Sequence, residues 1–194
     1  MKIKPSLIQV NKLRDKNIIK FYRLINAKIL KDLQPLINQI ELGNITPNFE
    51  VEINVYDAVN ELYKTVGSQF AKITRFEFRK VVEKKSIEND AYIFIMDDYF
   101  DNEVANLIVN VDDVIKNQVK SLIFNSIDKG LSIDEMKKLL TKQIKAIAKK
   151  RALVIARTET IKASNMGSLV GAEESGVDFN KEWITHFDNR TRTS

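Results

Sequence analysis

The chain has 194 residues, with six glycines, three prolines, no cysteine and a single histidine, His186. Glycine and proline together fall well below the roughly 12 % of an average chain, which argues against a sandwich, a barrel or a disordered linker; 44 % hydrophobic and 29 % charged residues point to a mainly α fold, an elongated bundle of long helices. Without cysteine there is no disulfide, thiol nucleophile or cysteine zinc site, and one histidine near the end leaves no catalytic triad, so no catalytic residue, cofactor or metal ligand is assigned, while metal chemistry through carboxylates stays open.

The formal net charge of +5 conceals three blocks. Met1 to Leu30 holds eight bases and one acid, Ser86 to Ile115 holds eight acids and no base, and Met136 to Thr158 holds eight bases and no acid. Such blocks read first as solvated faces whose opposite signs meet when helices pack. They also suit a phosphate backbone, or head-to-tail docking of identical copies. No apolar run approaches the roughly 18 residues of a membrane span and the N-terminus has no hydrophobic signal core, so the expected place is the cytosol, with no membrane partner.

In chain order, Pro5 to about Leu42 carries apolar residues at helical spacing, with Pro35 positioned to split or kink the segment. Gly43 to Pro47 is a stop with Gly43 at the C-cap. A second helix is predicted from about Asn54 to Ser86, an apolar and acidic segment from Asp90 to about Val111, and a further helix to Asp128. Gly130 ends that helix, and Ser132 with Glu135 forms a capping box for the next. A long helix is then predicted from Ile147 to Ser175. Gly167, Gly171 and Gly176 cluster near its end, where the helical pattern gives way to alternation over Phe179 to Phe187 and a turn at Asp188 to Arg190, a small C-terminal β element.

Among the candidate sites, Asp97, Asp98 and Asp101 have the DDxxD spacing that could place magnesium against a diphosphate. No second acidic motif or large apolar cavity supports that reading, and an exposed acidic helix face is the simpler one. His186 and Trp183 fit a half-exposed strand residue and a packing anchor. Glu159 lies on the inward face of the last helix, between Ala156 and Ala163, and a buried carboxylate needs a partner. The basic run includes Lys142, Lys145, Lys149, Lys150 and Arg151, the candidate DNA-binding residues.

Residues Arg151 to Gly176 read RALVIARTETIKASNMGSLVGAEESG, followed by KEWITHFDNRTRTS. The pattern A-x-x-I-A-R-T-E, with Arg157, Thr158 and Glu159, then Asn165, the closing Gly176 and W-x-x-x-x-D-x-R-T-R through Trp183, Asp188, Arg190 and Arg192, resembles the phage Mu protein F-like family of minor head or head morphogenesis proteins. The resemblance runs from about Ile133 to Ser194. It divides the chain into an N-terminal helical region, 1–129, and a Mu F-like head morphogenesis domain, 130–194. The family pattern places a histidine soon after the arginine-rich turn, so the domain is expected to be cut short at its C-terminus.

The resemblance implies a role in virion assembly. It describes a low-copy protein partnered by the portal and other phage head proteins, present in the host bacterial cytoplasm during assembly and in the virion head. Double-stranded DNA and further copies of the chain are additional candidate partners. In this setting Glu159 is expected to accept hydrogen bonds from Arg190 or Arg192, pinning the strand and turn to the long helix. Two other classes stay open. One is a toxin- or nuclease-type enzyme fragment lacking part of its site; the other is a purely structural helical module that oligomerises through opposite-signed faces.

Overall fold

A computed structural model describes residues 7–79, 91–104 and 111–176, and among these the chain is almost wholly helical. The predicted β element at Phe179 to Phe187 lies outside the described residues. Helix α1 spans Leu7–Glu41, α2 Tyr56–Leu62, α3 Ser68–Arg79, α4 Ala91–Tyr99, α5 Val111–Asp128 and α6 Ile133–Glu173. Two π-helical turns interrupt the pattern, Tyr63–Gly67 joining α2 to α3 and Phe100–Val104 continuing α4.

The helix ends follow from local chemistry. After α1, Gly43 adopts φ +89°, its N–H reaches the Ile40 carbonyl at 2.9 Å, and the Asn44 N–H reaches Gln39 at 2.9 Å, a Schellman closure. Gly130 does the same after α5, with its N–H on Ile127 and that of Leu131 on Ser126. The Ser132 hydroxyl then accepts the Glu135 N–H while the Glu135 carboxylate accepts the Ser132 N–H, so the capping box expected from the sequence starts α6.

The structure sharpens three expectations. Pro35 neither splits nor ends α1: it lies on the exposed side, where the missing hydrogen bond is left to solvent, and the helix continues to Glu41. The second helix begins at Tyr56, within two residues of the expected start, and before it Val51, Ile53 and Val55 alternate inward in a segment that the Asn54 N–H ties to Asp32 on α1. The last helix begins at Ile133 rather than Ile147 and is one element of 41 residues.

Polar contacts give the helix directions. Lys20 faces Glu61, Asn17 bonds Gln69 and Arg14 lies over the Phe70 ring, so α1 runs antiparallel to α2 and α3. Arg14 also reaches Ser164 while Gly43 sits beside Lys137, making α1 antiparallel to α6. It follows that α2, α3 and α6 are parallel. Helix α4 lies antiparallel to α2 and α3, with Lys64 on Asp97 and Arg75 on the Tyr92 hydroxyl. Helix α5 folds back along the first half of α6. One hydrophobic core runs through all of them, from Phe21 on α1 to Val170 on α6.

The tightest contact in the bundle lies between the parallel helices. A Cβ built on Gly167 would sit 2.0 Å from the Gly67 carbonyl oxygen, and one on Gly171 would sit 2.2 Å from that of Ala71. Gly67 is confined from its other side as well, since a Cβ there would lie 2.3 Å from Met96 Cε on α4. Small residues at four-residue spacing on both helices let the two backbones touch, a geometry that any side chain would push apart. Gly167 and Gly171 therefore serve packing inside α6 and do not signal its end. Only Gly176, with φ +66°, leaves the helix.

This crossing predicts an inverted response to a substitution that normally helps. Gly→Ala in a helix ordinarily stabilises by about 0.4–1 kcal/mol. Gly167→Ala is expected to destabilise by about 3 kcal/mol, the upper end of overpacking, or roughly 6–12 °C in melting temperature at about 2–4 °C per kcal/mol. A variant melting at or above the wild type would refute the backbone contact.

Candidate functional site

The second half of α6, which carries the arginine-threonine-glutamate pattern, is the junction of three helices. Arg157 and Thr158 are exposed, whereas Glu159 is only 9 % exposed and faces the core. Tyr63, in the first π turn and wholly buried, donates its hydroxyl to Glu159 Oε2 at 2.8 Å. Lys162, one turn along α6, donates to Oε1 at 3.0 Å. Burial, and then the Glu159 carboxylate beside it, push the Tyr63 phenol well above the ordinary tyrosine range, which keeps it a donor. Tyr99 and Phe100 close over the ring, at 6.0 and 5.5 Å between centroids.

One turn further on, Arg14 from α1 reaches in. Its Nε donates to Ser164 Oγ at 2.9 Å, its Nη2 donates to Asn165 Oδ1 at 2.8 Å, and the guanidinium lies 5.4 Å from the Phe70 ring centre. One arginine thus joins α1, α3 and α6. Asn165, read in the sequence as part of the family pattern, is the exposed end of this clamp. Trp183, Asp188, Arg190 and Arg192 lie outside the described residues, as does the expected bond from either arginine to Glu159.

On the first half of α6 the apolar side buries Leu140, Ile144, Ala148 and Ala152. A flank of the same half exposes Lys138, Lys142, Lys145 and Lys149 at i, i+4, i+7 and i+11, one stripe that spans about 16 Å at 1.5 Å per residue. None of these four forms an ion pair among the described residues. Lys150 is exposed a little to one side, and Arg151 is half-buried. Between α5 and α6 lies a groove of about 480 Å³ lined by polar residues, among them Asn117, Gln143 and Lys150, and by the apolar Leu122 and Ile147. The structure thus gathers Lys142, Lys145 and Lys149 on one surface and turns Arg151 away from it.

The acidic segment has a structural use. Lys64 pairs with Asp97 at 2.8 Å and holds its carboxyl below the usual range, while the Tyr56 hydroxyl donates to Asp101. Two of the three carboxylates in the DDxxD spacing therefore fasten α4 to α2 and the first π turn. Among the described residues no group of three or more histidines, cysteines or carboxylates is placed to hold a metal ion.

The sequence marks Glu159 as inward-facing but gives neither its partner Tyr63 nor Arg14, the clamp on Ser164 and Asn165. Tyr63 looks like an ordinary apolar-stripe residue, and Arg14 is one base in a basic run; neither carries a local signal. Tyr63→Phe keeps the ring and removes only the donor to Glu159. It is expected to lower the unfolding free energy by about 1–3 kcal/mol, as for a hydrogen bond to a charged group. Urea denaturation measures this, and a loss below about 0.3 kcal/mol would show the bond to be idle.

Residues 117–194, from the middle of α5 through the whole of α6 to the end of the chain, match the family described as Phage Mu protein F like protein. No curated protein and no solved structure matches the chain. The helix that holds Arg157, Thr158 and Glu159, together with the residues that follow it, lies within this match, which supports the phage Mu protein F-like head morphogenesis family for that segment.

Proposed function

We propose that the protein works in phage head assembly, as a low-copy minor head component that sits against the portal or the procapsid interior and contacts packaged DNA through α6. It acts in this reading as an assembly protein rather than as an enzyme. The family match over residues 117–194 carries the assembly role. The DNA contact rests on the lysine stripe of the same segment. Four exposed ammonium groups on one rigid helix, with no acid in the run from Met136 to Thr158, form a track for phosphates. No aromatic residue is interleaved in that run, so the protein would read the duplex backbone and not stack on bases.

This reading has a quantitative test. Binding to a short DNA duplex should weaken steeply with salt, and replacing Lys142, Lys145 and Lys149 by glutamine should flatten the log–log salt dependence by roughly 0.9 for each phosphate that no longer has a lysine to neutralise it. All three side chains are exposed, so the variant should melt as the wild type does. Affinity independent of salt, or a variant that binds as the wild type does, would remove DNA from the proposal. Co-purification with the portal protein tests the other partner, and a chain that never associates with head components would refute the assembly role.

A further inference from the structure

Two exposed faces remain that neither the core nor the lysine stripe uses. On α6, from the end of the α5–α6 groove onwards, Lys150, Val154, Arg157 and Ile161 follow one another at i, i+4, i+7 and i+11. Val154 is 47 % exposed and Ile161 46 %, so this is an apolar strip carrying positive charge. It lies about a third of a turn around the helix from the lysine stripe at 100° per residue. On α4 and the π turn that continues it, Phe94, Asp98 and Asp101 follow at i, i+4 and i+7, with Asp101 exposed while it accepts from Tyr56, and Phe94 is 72 % exposed on a helix that has no basic residue. Each face joins exposed apolar surface to charge of a single sign.

We infer that these faces bind each other between copies of the chain, α4 of one molecule against the Lys150 to Ile161 face of α6 on the next. The charges select this pairing. Two α4 faces would set Asp98 and Asp101 against the same acids, and two α6 faces would set Arg157 and Lys150 against the same bases, each costing free energy where the apolar groups meet. Only the mixed pair brings Phe94 onto Val154 and Ile161 while opposing carboxylates to cations. Each contact joins unlike faces, so outside a closed two-fold pair every copy retains one unused face of each kind and association continues into a ring or an open chain. The faces are small, which places the interaction in the weak, reversible class. The inference stands on these two surfaces and does not require the head-assembly reading.

Sedimentation velocity on the full chain at about 0.1 mM, within reach of an interface below about 1,200 Å², is expected to show species beyond the dimer. Phe94→Asp spoils the α4 face and Val154→Asp the α6 face. Both positions are exposed, and unchanged melting temperatures would show that the fold is intact. Each variant alone should sediment at the mass of one chain. Mixed in equal amounts they should form a dimer and nothing larger, because α6 of the Phe94→Asp chain still fits α4 of the Val154→Asp chain while the two remaining faces carry matching acids. A monomeric wild type would overturn the inference. So would either variant assembling as the wild type does, or a mixture that stays monomeric.

Discussion

The bundle is organised around one backbone contact, the crossing of Gly67 and Ala71 on one side with Gly167 and Gly171 on the other. Where helices meet through side chains, the separation is about 8–10 Å and adapts to what packs between them. Here no side chain intervenes, so the axes of α3 and α6 are held at the closest approach that polypeptide allows. Met96 then fills the space on the other side of Gly67 and seats α4 against the same point. The geometry tolerates little adjustment, because carbonyl groups and not flexible side chains line the crossing.

The polar junction at the centre depends on that separation. Tyr63 lies four residues before Gly67, and Glu159 lies eight before Gly167, so two parallel helices in contact at the glycines bring the phenol and the carboxylate to 2.8 Å. The first π turn, which ends at Gly67, begins at Tyr63. An isolated buried carboxylate would cost several kcal/mol, but one bonded by a buried phenol and a lysine is accommodated. Arg14 clamps the same stretch from α1 through Ser164 and Asn165. The family pattern in α6 thus has an inner side that holds the bundle together, and an outer side, with Arg157, that is available to partners.

Much of this architecture was legible in advance where the determinant is local. The capping box at Ser132 and Glu135, the closures at Gly43 and Gly130 and the inward position of Glu159 each depend on a few neighbouring residues and the helical period. Pro35 and the glycines of α6 are tolerated for a common reason. Both residue types are read as breakers when only the chain's own backbone is considered, yet Pro35 faces solvent, where one missing hydrogen bond is tolerated, and Gly167 and Gly171 face another backbone that requires their lack of a side chain. The π turns had no signal at all, since they change the number of residues per turn without a characteristic composition.

The acidic block shows the same division. Its charge was evident from the sequence, but Asp97 and Asp101 are engaged by Lys64 and Tyr56, while Asp98 stays on the surface beside Phe94. What the sequence determined by itself was the helical class, the positions of most helix ends and the family of the last third, because propensity, capping and motif spacing act within a few turns of one helix. What only the tertiary structure decided was which helices touch, which glycines pack against a neighbour rather than end a helix, and which residues complete Glu159 and Asn165. Those choices depend on groups some 96 and 151 positions apart in the chain meeting in space, and no local pattern encodes that distance.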